Sequence, residues 1–188
     1  MEKPSKTIRI AIFILITFAS IMLAQFAALT FSPAPGVITF YFAVAFMIAF
    51  TLWFGVWGAV AAYAGCVIGA GIPAGLPLSV NLRRSLADLW QVLIPLIAFA
   101  RLRADVGLRT KRDFAIFLIF GWLLNNLAGA IWGAGTFVLS GQFPMSDFDG
   151  LFANWFLTNL IVTIIITPLL LRFVTPIIKK KGLFIKNV

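Results

Sequence analysis

The side chains of this chain that could bind a solute lie inside stretches of apolar residues. Arg84, Asp88 and Gln91 are spaced by four and three residues, which places them one turn apart on one face of a helix. An arginine offers a planar fork for a carboxylate or a phosphate, and an aspartate offers an acceptor for a cationic group. The spacing also allows Arg84 and Asp88 to pair with each other, so both alternatives are open at this point.

A second group of polar side chains interrupts later apolar stretches. Asn125 and Asn126 lie in the middle of one stretch, and Asn159 lies in the next, four residues after Trp155 and four before Thr163. An unpaired polar group in hydrocarbon costs several kcal/mol, so these side chains must face other protein groups. They could form hydrogen bonds between helices, each worth about 0.6–2 kcal/mol, or they could line a binding pocket.

The composition indicates that the surroundings of these groups are lipid. Hydrophobic residues make up 62% of the 188 residues, and the mean hydropathy is +1.04. Charged residues make up 11%, whereas a soluble domain carries about 25%. A membrane helix needs about 20 apolar residues. We therefore predict an all-α integral membrane protein, a six-helix bundle that interacts with membrane lipid.

Six apolar stretches predict one transmembrane domain over residues 1–188. They are separated by prolines, glycines or charged clusters, which end helices. The predicted spans are 8–31, 37–53, 56–72, 84–100, 114–139 and 151–174.

The distribution of charge predicts the orientation of these spans. The net charge is +9, and the basic residues cluster near the N-terminus, in residues 101–112 and near the C-terminus. Cytoplasmic loops of membrane proteins carry an excess of lysine and arginine. Even numbers of spans separate the three clusters, so we predict a multi-pass protein of the cell membrane with both termini cytoplasmic. This pattern differs from a nucleic-acid-binding face, and no nucleic-acid partner is predicted.

The sequence contains few of the residue types that enzymes use for catalysis. The chain contains no histidine and one cysteine, Cys66, so the commonest general base and metal ligand is missing. Asp88 is the only acid within a predicted span, and the neighbouring sequence offers it no second acid. We predict no enzyme activity, no catalytic residue, no metal site and no cofactor.

A pocket for a small molecule is predicted from the same polar and indole side chains. On the predicted topology most of them fall in the outer half of spans four to six. Indoles with a few convergent amides and a charge pair are typical of small-molecule sites. The predicted ligand-binding residues are Asn81, Arg84, Asp88, Gln91, Asn125, Trp132, Trp155 and Asn159. The tryptophans could stack on a ligand or hold a cation, or they could anchor the protein at the membrane interface.

Small residues recur at helical spacing in spans three and five. Gly65 and Gly69 form a GxxxG pair, and Asn125, Gly129 and Gly133 repeat the spacing. Small faces let helix backbones approach closely in lipid. We interpret both stripes as helix-packing surfaces.

Size, span count and cytoplasmic termini resemble the S components of energy-coupling factor vitamin transporters. Residues 53–65, Trp-Phe-Gly-Val-Trp-Gly-Ala-Val-Ala-Ala-Tyr-Ala-Gly, are similar to the start of the third helix in that family. The resemblance implies a six-helix protein that captures a vitamin in an outward-facing pocket. It also implies docking on a separate, ATP-driven energising module on the cytoplasmic side.

Other segments resemble the MASE-type membrane sensor domain, which is usually fused to histidine kinases or cyclic-di-GMP enzymes. These segments are Pro33-Ala34-Pro35-Gly36, Arg109-Thr110-Lys111-Arg112-Asp113-Phe114, and Trp155 followed by Asn159 and Thr167-Pro168-Leu169-Leu170-Leu171. This resemblance implies a sensor that signals through a partner.

Three functions follow as hypotheses. The favoured one is a substrate-capture subunit of a multi-subunit uptake transporter. The second is a stand-alone sensor module, and the third is a non-catalytic structural subunit of a membrane complex, in which the polar residues only hold helices together. The sequence leaves the identity of the ligand open.

Overall fold

The protein is all-helical in the part described by the computed structural model, which covers residues 5–32, 34 and 37–185. The predicted all-α fold is thereby confirmed. The six helices are α1 (Lys6–Thr30), α2 (Ala43–Phe54), α3 (Val56–Gly71), α4 (Leu78–Arg101), α5 (Lys111–Leu139) and α6 (Met145–Lys180). The ends of the predicted domain and most of the Pro33–Gly36 segment lie outside the described residues.

Three helices extend beyond the apolar stretches that predicted them. Helix α4 begins at Leu78, directly after Pro77, and not at residue 84. Helix α5 begins at Lys111, where the Thr110 hydroxyl accepts a hydrogen bond from the Asp113 backbone N–H at 3.1 Å. Helix α6 continues to Lys180. Hydropathy identifies only the part of a helix that suits lipid. The charged residues at the helix ends continue the same pattern of backbone hydrogen bonds, so the helices are longer than the apolar stretches.

Helix α2 begins six residues later than predicted, because residues 37–42 fold back on α1. The backbone N–H and the hydroxyl of Thr39 both donate to the Phe31 carbonyl, at 2.8 and 2.9 Å. These bonds hold the connection between α1 and α2 across the end of the bundle. Val37 and Ile38 therefore lie beside the candidate site described below.

The core of the bundle is built around α2. Ten of its 12 residues are buried, and it contacts α1, α3, α4 and α6. At 1.5 Å per residue, α2 is about 18 Å long, well short of the ~30 Å hydrocarbon thickness of a bilayer. It therefore forms an interior element on which the longer helices pack.

Glycines allow α3 to pack closely on two neighbours. The turn before α3 needs Gly55, whose φ of +62° favours glycine. A Cβ on Gly58 would lie 2.5 Å from the Thr51 Cα atom. Gly65 and Gly69 lie against Ser20 and Ile21 of α1 in the same way, so the predicted packing role of the GxxxG pair is confirmed.

Among the described residues, three helices are long and apolar enough to cross a membrane, namely α1, α5 and α6. Helix α4 has comparable length, with 24 residues, but it carries a polar face that lowers its hydropathy.

The two ends of the bundle differ in the groups they present. At the end that we call the pocket end, the connection before α2 meets the start of α4 and α6 and the end of α5. At the opposite, basic end, the connection between α4 and α5 contacts the last turns of α6. The Lys179 ammonium pairs with the Asp105 carboxylate there at 3.1 Å, and the Ile185 N–H donates to the Trp53 carbonyl at 2.9 Å.

Candidate functional site

Helix α4 positions the site by turning its polar face inward. The buried polar side chains are Asn81, Arg84, Ser85, Asp88 and Gln91. Their spacing of three and four residues places them on one face. The exposed face carries large apolar side chains, Leu78, Leu82, Trp90 and Ile97, together with Arg83 near the start of the helix. This arrangement is the reverse of a surface helix in a water-soluble protein.

The Arg84 guanidinium is buried with few polar partners. Its side chain is 2% exposed and is the largest among the fully buried ones. Its Nη1 donates to the Cys66 Sγ at 3.0 Å, and its Nε has no hydrogen-bond partner among the described residues. The Cζ lies 5.1 Å from the Trp155 ring centroid and 5.9 Å from the Phe137 ring centroid. Cation–π contacts therefore provide much of its environment.

The Asp88 carboxylate accepts a hydrogen bond from the connection between α1 and α2 and forms none with Arg84. The Tyr41 hydroxyl donates to the Asp88 Oδ2 at 2.9 Å. Within the described residues, ion pairing at 4.0 Å or less occurs only between Lys179 and Asp105. Arg84 and Asp88 thus form no direct ion pair, although their spacing would permit one. The guanidinium keeps hydrogen-bonding capacity for another acceptor.

A small cavity adjoins the guanidinium at the pocket end. Its volume is about 10 Å³, which is room for about one water molecule. The cavity is lined by Val37, Ile38, Tyr41, Arg84, Phe137, Leu151, Asn154, Trp155 and Asn159. Asn159 is 1% exposed, and its Nδ2 has no hydrogen-bond partner in the described part of the chain. A buried cation and a free amide donor therefore face the same space.

A separate polar network joins α4, α5 and α6 deeper in the bundle. The Gln91 amide donates to the Asn126 Oδ1 at 2.8 Å, and the Asn126 amide donates to the Thr163 hydroxyl at 2.8 Å. Asn125 donates to the backbone carbonyl of Gln91 at 3.2 Å. None of these residues lines the cavity. The network bonds helices to one another, so Asn125 and Asn126 follow the first of the two alternatives that the sequence left open.

Two further residues of the predicted site lie away from the cavity. Asn81 donates to the Val67 carbonyl at 3.0 Å and fixes α4 to the last turn of α3. The Trp132 side chain is 39% exposed, and its Nε1 donates to the Arg83 carbonyl at 2.7 Å. The Trp132 ring lies edge-on to Trp90, with centroids 5.9 Å apart, on the outside of the bundle.

The structure thus brings together part of the predicted set. Arg84, Trp155 and Asn159 share the cavity, and Asp88 reaches it through Tyr41. Sequence reasoning missed Tyr41, although a tyrosine in an apolar stretch needs a partner for its hydroxyl. It also missed Phe137, Val37 and Ile38, whose apolar side chains line the cavity. Nothing in the sequence distinguishes these three from the other apolar residues.

The glycine stripe of α5 makes room for site side chains. A Cβ on Gly129 would lie 2.5 Å from the Gln91 Cγ, and a Cβ on Gly133 would lie 2.7 Å from the Trp155 Cε3. Gly133 therefore allows the indole to lie between α5 and the guanidinium. The stripe is a packing surface, as predicted. One of the two side chains packed against it, Trp155, also lines the cavity.

A Gly133→Ala substitution should displace the Trp155 ring from its position beside Arg84. Overpacking of this kind costs about 1–3 kcal/mol, so we expect a lower thermal unfolding midpoint and a change in tryptophan emission. Gly135→Ala is the matched control, because open space surrounds that position. An equal loss of stability in both variants would show that the indole does not depend on Gly133.

The described residues contain no group of three or more histidine, cysteine, aspartate or glutamate side chains that could hold a metal ion. Cys66 is buried as a free thiol, and its sulfur accepts the hydrogen bond from Arg84. The side chains that line the cavity offer a positive charge, amide hydrogen bonds and aromatic rings to a ligand.

The fold and the site together define an all-helical protein with three helices suited to crossing a membrane and a buried arginine beside a small cavity. Comparison with known proteins finds no family model, no curated protein and no solved structure that matches this chain. The two family resemblances described above remain predictions.

Proposed function

We propose that this protein is a six-span membrane protein with cytoplasmic termini that captures a small molecule bearing a carboxylate or phosphate group. In this proposal it is the substrate-capture subunit of an uptake transporter, and the pocket end faces outward. The observation that carries the proposal is the buried Arg84 guanidinium, which faces a cavity without a carboxylate paired to it.

The surface of α4 supports the membrane part of the proposal. A helix that buries arginine, aspartate and glutamine while exposing leucine, isoleucine and tryptophan suits apolar surroundings. Helix α1 exposes Ile14, Leu15 and Phe18 to at least 60%, as expected of a lipid-facing helix.

The charge distribution supports the orientation. Apart from Arg83 and Arg84, the described basic residues lie in the first turns of α1, in residues 101–112 and in residues 172–181 at the end of α6. The positive-inside rule assigns those segments to the cytoplasm. The candidate cavity, at the other end, would then open to the exterior.

The residues around the cavity support an anionic ligand. The Arg84 Nε and the Asn159 Nδ2 are donors without partners, and both could bind the same oxygen-rich group. The Trp155 ring lies against the guanidinium and offers an apolar surface for the remainder of a ligand.

The observed cavity corresponds to a closed site. A volume of about 10 Å³ is far below the ~300–1,000 Å³ of pockets that hold drug-sized ligands. Binding would therefore require Val37 and Ile38 to move away from the cavity, or α6 to shift relative to α5. A ligand would act by stabilising that open arrangement.

Binding is tested with the purified protein and a panel of small carboxylates and phosphates, with neutral analogues of matched shape as controls. We expect at least one anionic compound to change tryptophan fluorescence in a saturable manner and to raise the unfolding temperature. Equal responses to anionic and neutral analogues would contradict the proposed role of Arg84.

Transport is tested separately from binding. Cells that produce the protein together with its native partners should accumulate the labelled compound in an ATP-dependent manner. A sensor would bind the same compound without accumulation, and a structural subunit would bind none.

A further inference from the structure

We propose that the basic end contains a second binding site, which takes a phosphate group through Arg109, Arg172 and Lys179. The site lies in a hollow of about 310 Å³ between the connection before α5 and the last turns of α6. It is far from the cavity at Arg84 and does not depend on the capture function proposed above.

Three cations line this hollow against one carboxylate. Lys179 is paired with Asp105 at 3.1 Å. The Arg172 Nη1 donates to the Leu108 carbonyl at 3.2 Å, which leaves its other guanidinium nitrogens available. Arg109 is exposed and has no hydrogen bond or ion pair with a described residue. With one of the three charges neutralised by Asp105, the hollow keeps two positive charges.

Hydrogen bonds fix the shape of the hollow on both sides. The Asp105 Oδ1 accepts from the Gly107 N–H at 2.6 Å, and the Asp105 N–H donates to the Asp113 Oδ1 at 3.0 Å. Leu108 has a φ of +51°, a conformation that is rare for leucine. On the other side, the Trp53 Nε1 donates to the Thr175 hydroxyl at 2.9 Å. The arginines therefore project from a defined backbone.

The chemistry of the hollow favours phosphate. Two arginines on opposite walls can each present a planar fork to tetrahedral oxygens, and the volume reaches the lower range of small-molecule pockets, about 300 Å³. A phosphate group could belong to a membrane lipid or to a soluble compound, since the recognition is the same.

The neighbouring surface points to the lipid as the source. Leu169, Phe173 and Ile177 of α6 are spaced by four residues, and each is more than half exposed. They form an apolar strip directly beside Arg172 and Pro176. Acyl chains could lie along this strip while the head group occupies the hollow, as in basic pockets between membrane helices on the cytoplasmic side.

Native mass spectrometry of the detergent-purified protein, titrated with phosphatidylglycerol, tests the proposal. We expect one tightly bound lipid for each wild-type protein. An Arg109→Gln/Arg172→Gln variant should bind the lipid with an affinity about 30-fold lower, because each lost charge contributes about 1 kcal/mol. Arg109→Gln alone removes no observed contact and should lower the affinity about fivefold without a change in unfolding temperature.

An Arg101→Gln/Arg103→Gln variant is the matched control. It removes two exposed positive charges, one at the end of α4 and one in the same connection, both outside the hollow. The affinity for the lipid should fall less than about threefold. An equal loss in the two double variants would mean general attraction to the basic surface, and would overturn the proposal.

Inorganic phosphate separates the two sources of the ligand. A stoichiometric lipid that inorganic phosphate does not displace would identify a lipid site. If inorganic phosphate raises the unfolding temperature of the wild type but not of the Arg109→Gln/Arg172→Gln variant, while lipid has no specific effect, the site takes soluble phosphate. The absence of both effects would overturn the proposal.

Discussion

Replacing Arg84 by methionine is expected to weaken the binding of an anionic ligand by roughly 100-fold, because truncating a buried charge that pairs with a ligand costs about 2–5 kcal/mol. Methionine keeps much of the apolar stem while removing all donors at the cavity. The measurement is a fluorescence titration with whichever anionic compound the binding screen identifies.

The neighbouring arginine is the control for this prediction. The Arg83 side chain is exposed, and its Nε donates to the Ser79 carbonyl at 3.0 Å. Arg83→Met removes the same charge one residue away and should change the affinity less than about twofold. Equal losses in the two variants would contradict a specific role of Arg84.

Stability must be separated from binding at this position. Arg84→Met removes the buried cation that lies one helical turn from the buried Asp88, although the two form no direct ion pair. A buried charge without a compensating charge is strongly destabilising. An Arg84→Met/Asp88→Asn variant removes both charges and keeps an acceptor for the Tyr41 hydroxyl. We expect it to unfold at or above the wild-type temperature, since neutral replacements of buried charges are often stabilising, and still to lack binding. Wild-type affinity in this variant would contradict the account.

The second large effect is expected from Asn126→Leu, which should destabilise the protein by roughly 2–4 kcal/mol. The Asn126 side chain bonds to Gln91, to Thr163 and to the Trp122 carbonyl. Leucine removes all three hydrogen bonds and leaves the buried Gln91 amide without its acceptor. The measurement is the unfolding midpoint in detergent, followed by helical circular dichroism.

Asn159→Leu is the matched comparison, since Asn159 is equally buried and its side-chain amide makes no hydrogen bond among the described residues. This change should alter stability by less than about 1 kcal/mol while ligand binding is lost. If Asn159→Leu destabilises the protein as much as Asn126→Leu does, Asn159 holds helices together and is not a ligand group.

The sequence predicted which helices carry buried polar groups, because charge in an apolar helix must face protein. It could not predict the partners. Tyr41 and Asp88 are 47 residues apart, and only the packing of α2 on α4 brings them together. Whether Arg84 would pair with Asp88 therefore depended on groups from other helices, and the spacing of four residues alone could not decide between the two alternatives.

The position of Trp132 on α5 predicts that its side chain faces outward. Gly129 and Gly133 face the interior and accommodate Gln91 and Trp155. Position 132 is rotated by about 100° from position 133 on the same helix, so its side chain lies toward the outer surface. The positions of the glycines on α5 therefore predict that Trp132 does not line the cavity, whereas Trp155 does. That Val37 and Ile38 line the cavity could not be predicted, because two apolar residues at these positions are equally consistent with a membrane span.

The most direct test of the central claim is a structure of the protein determined with the anionic compound identified in the binding screen. The account predicts a carboxylate or phosphate oxygen about 2.7–2.9 Å from the Arg84 guanidinium, within reach of the Asn159 amide, in a cavity enlarged by movement of Val37 and Ile38. A bound compound at another location, with Arg84 still donating to Cys66 beside a closed cavity, would contradict it.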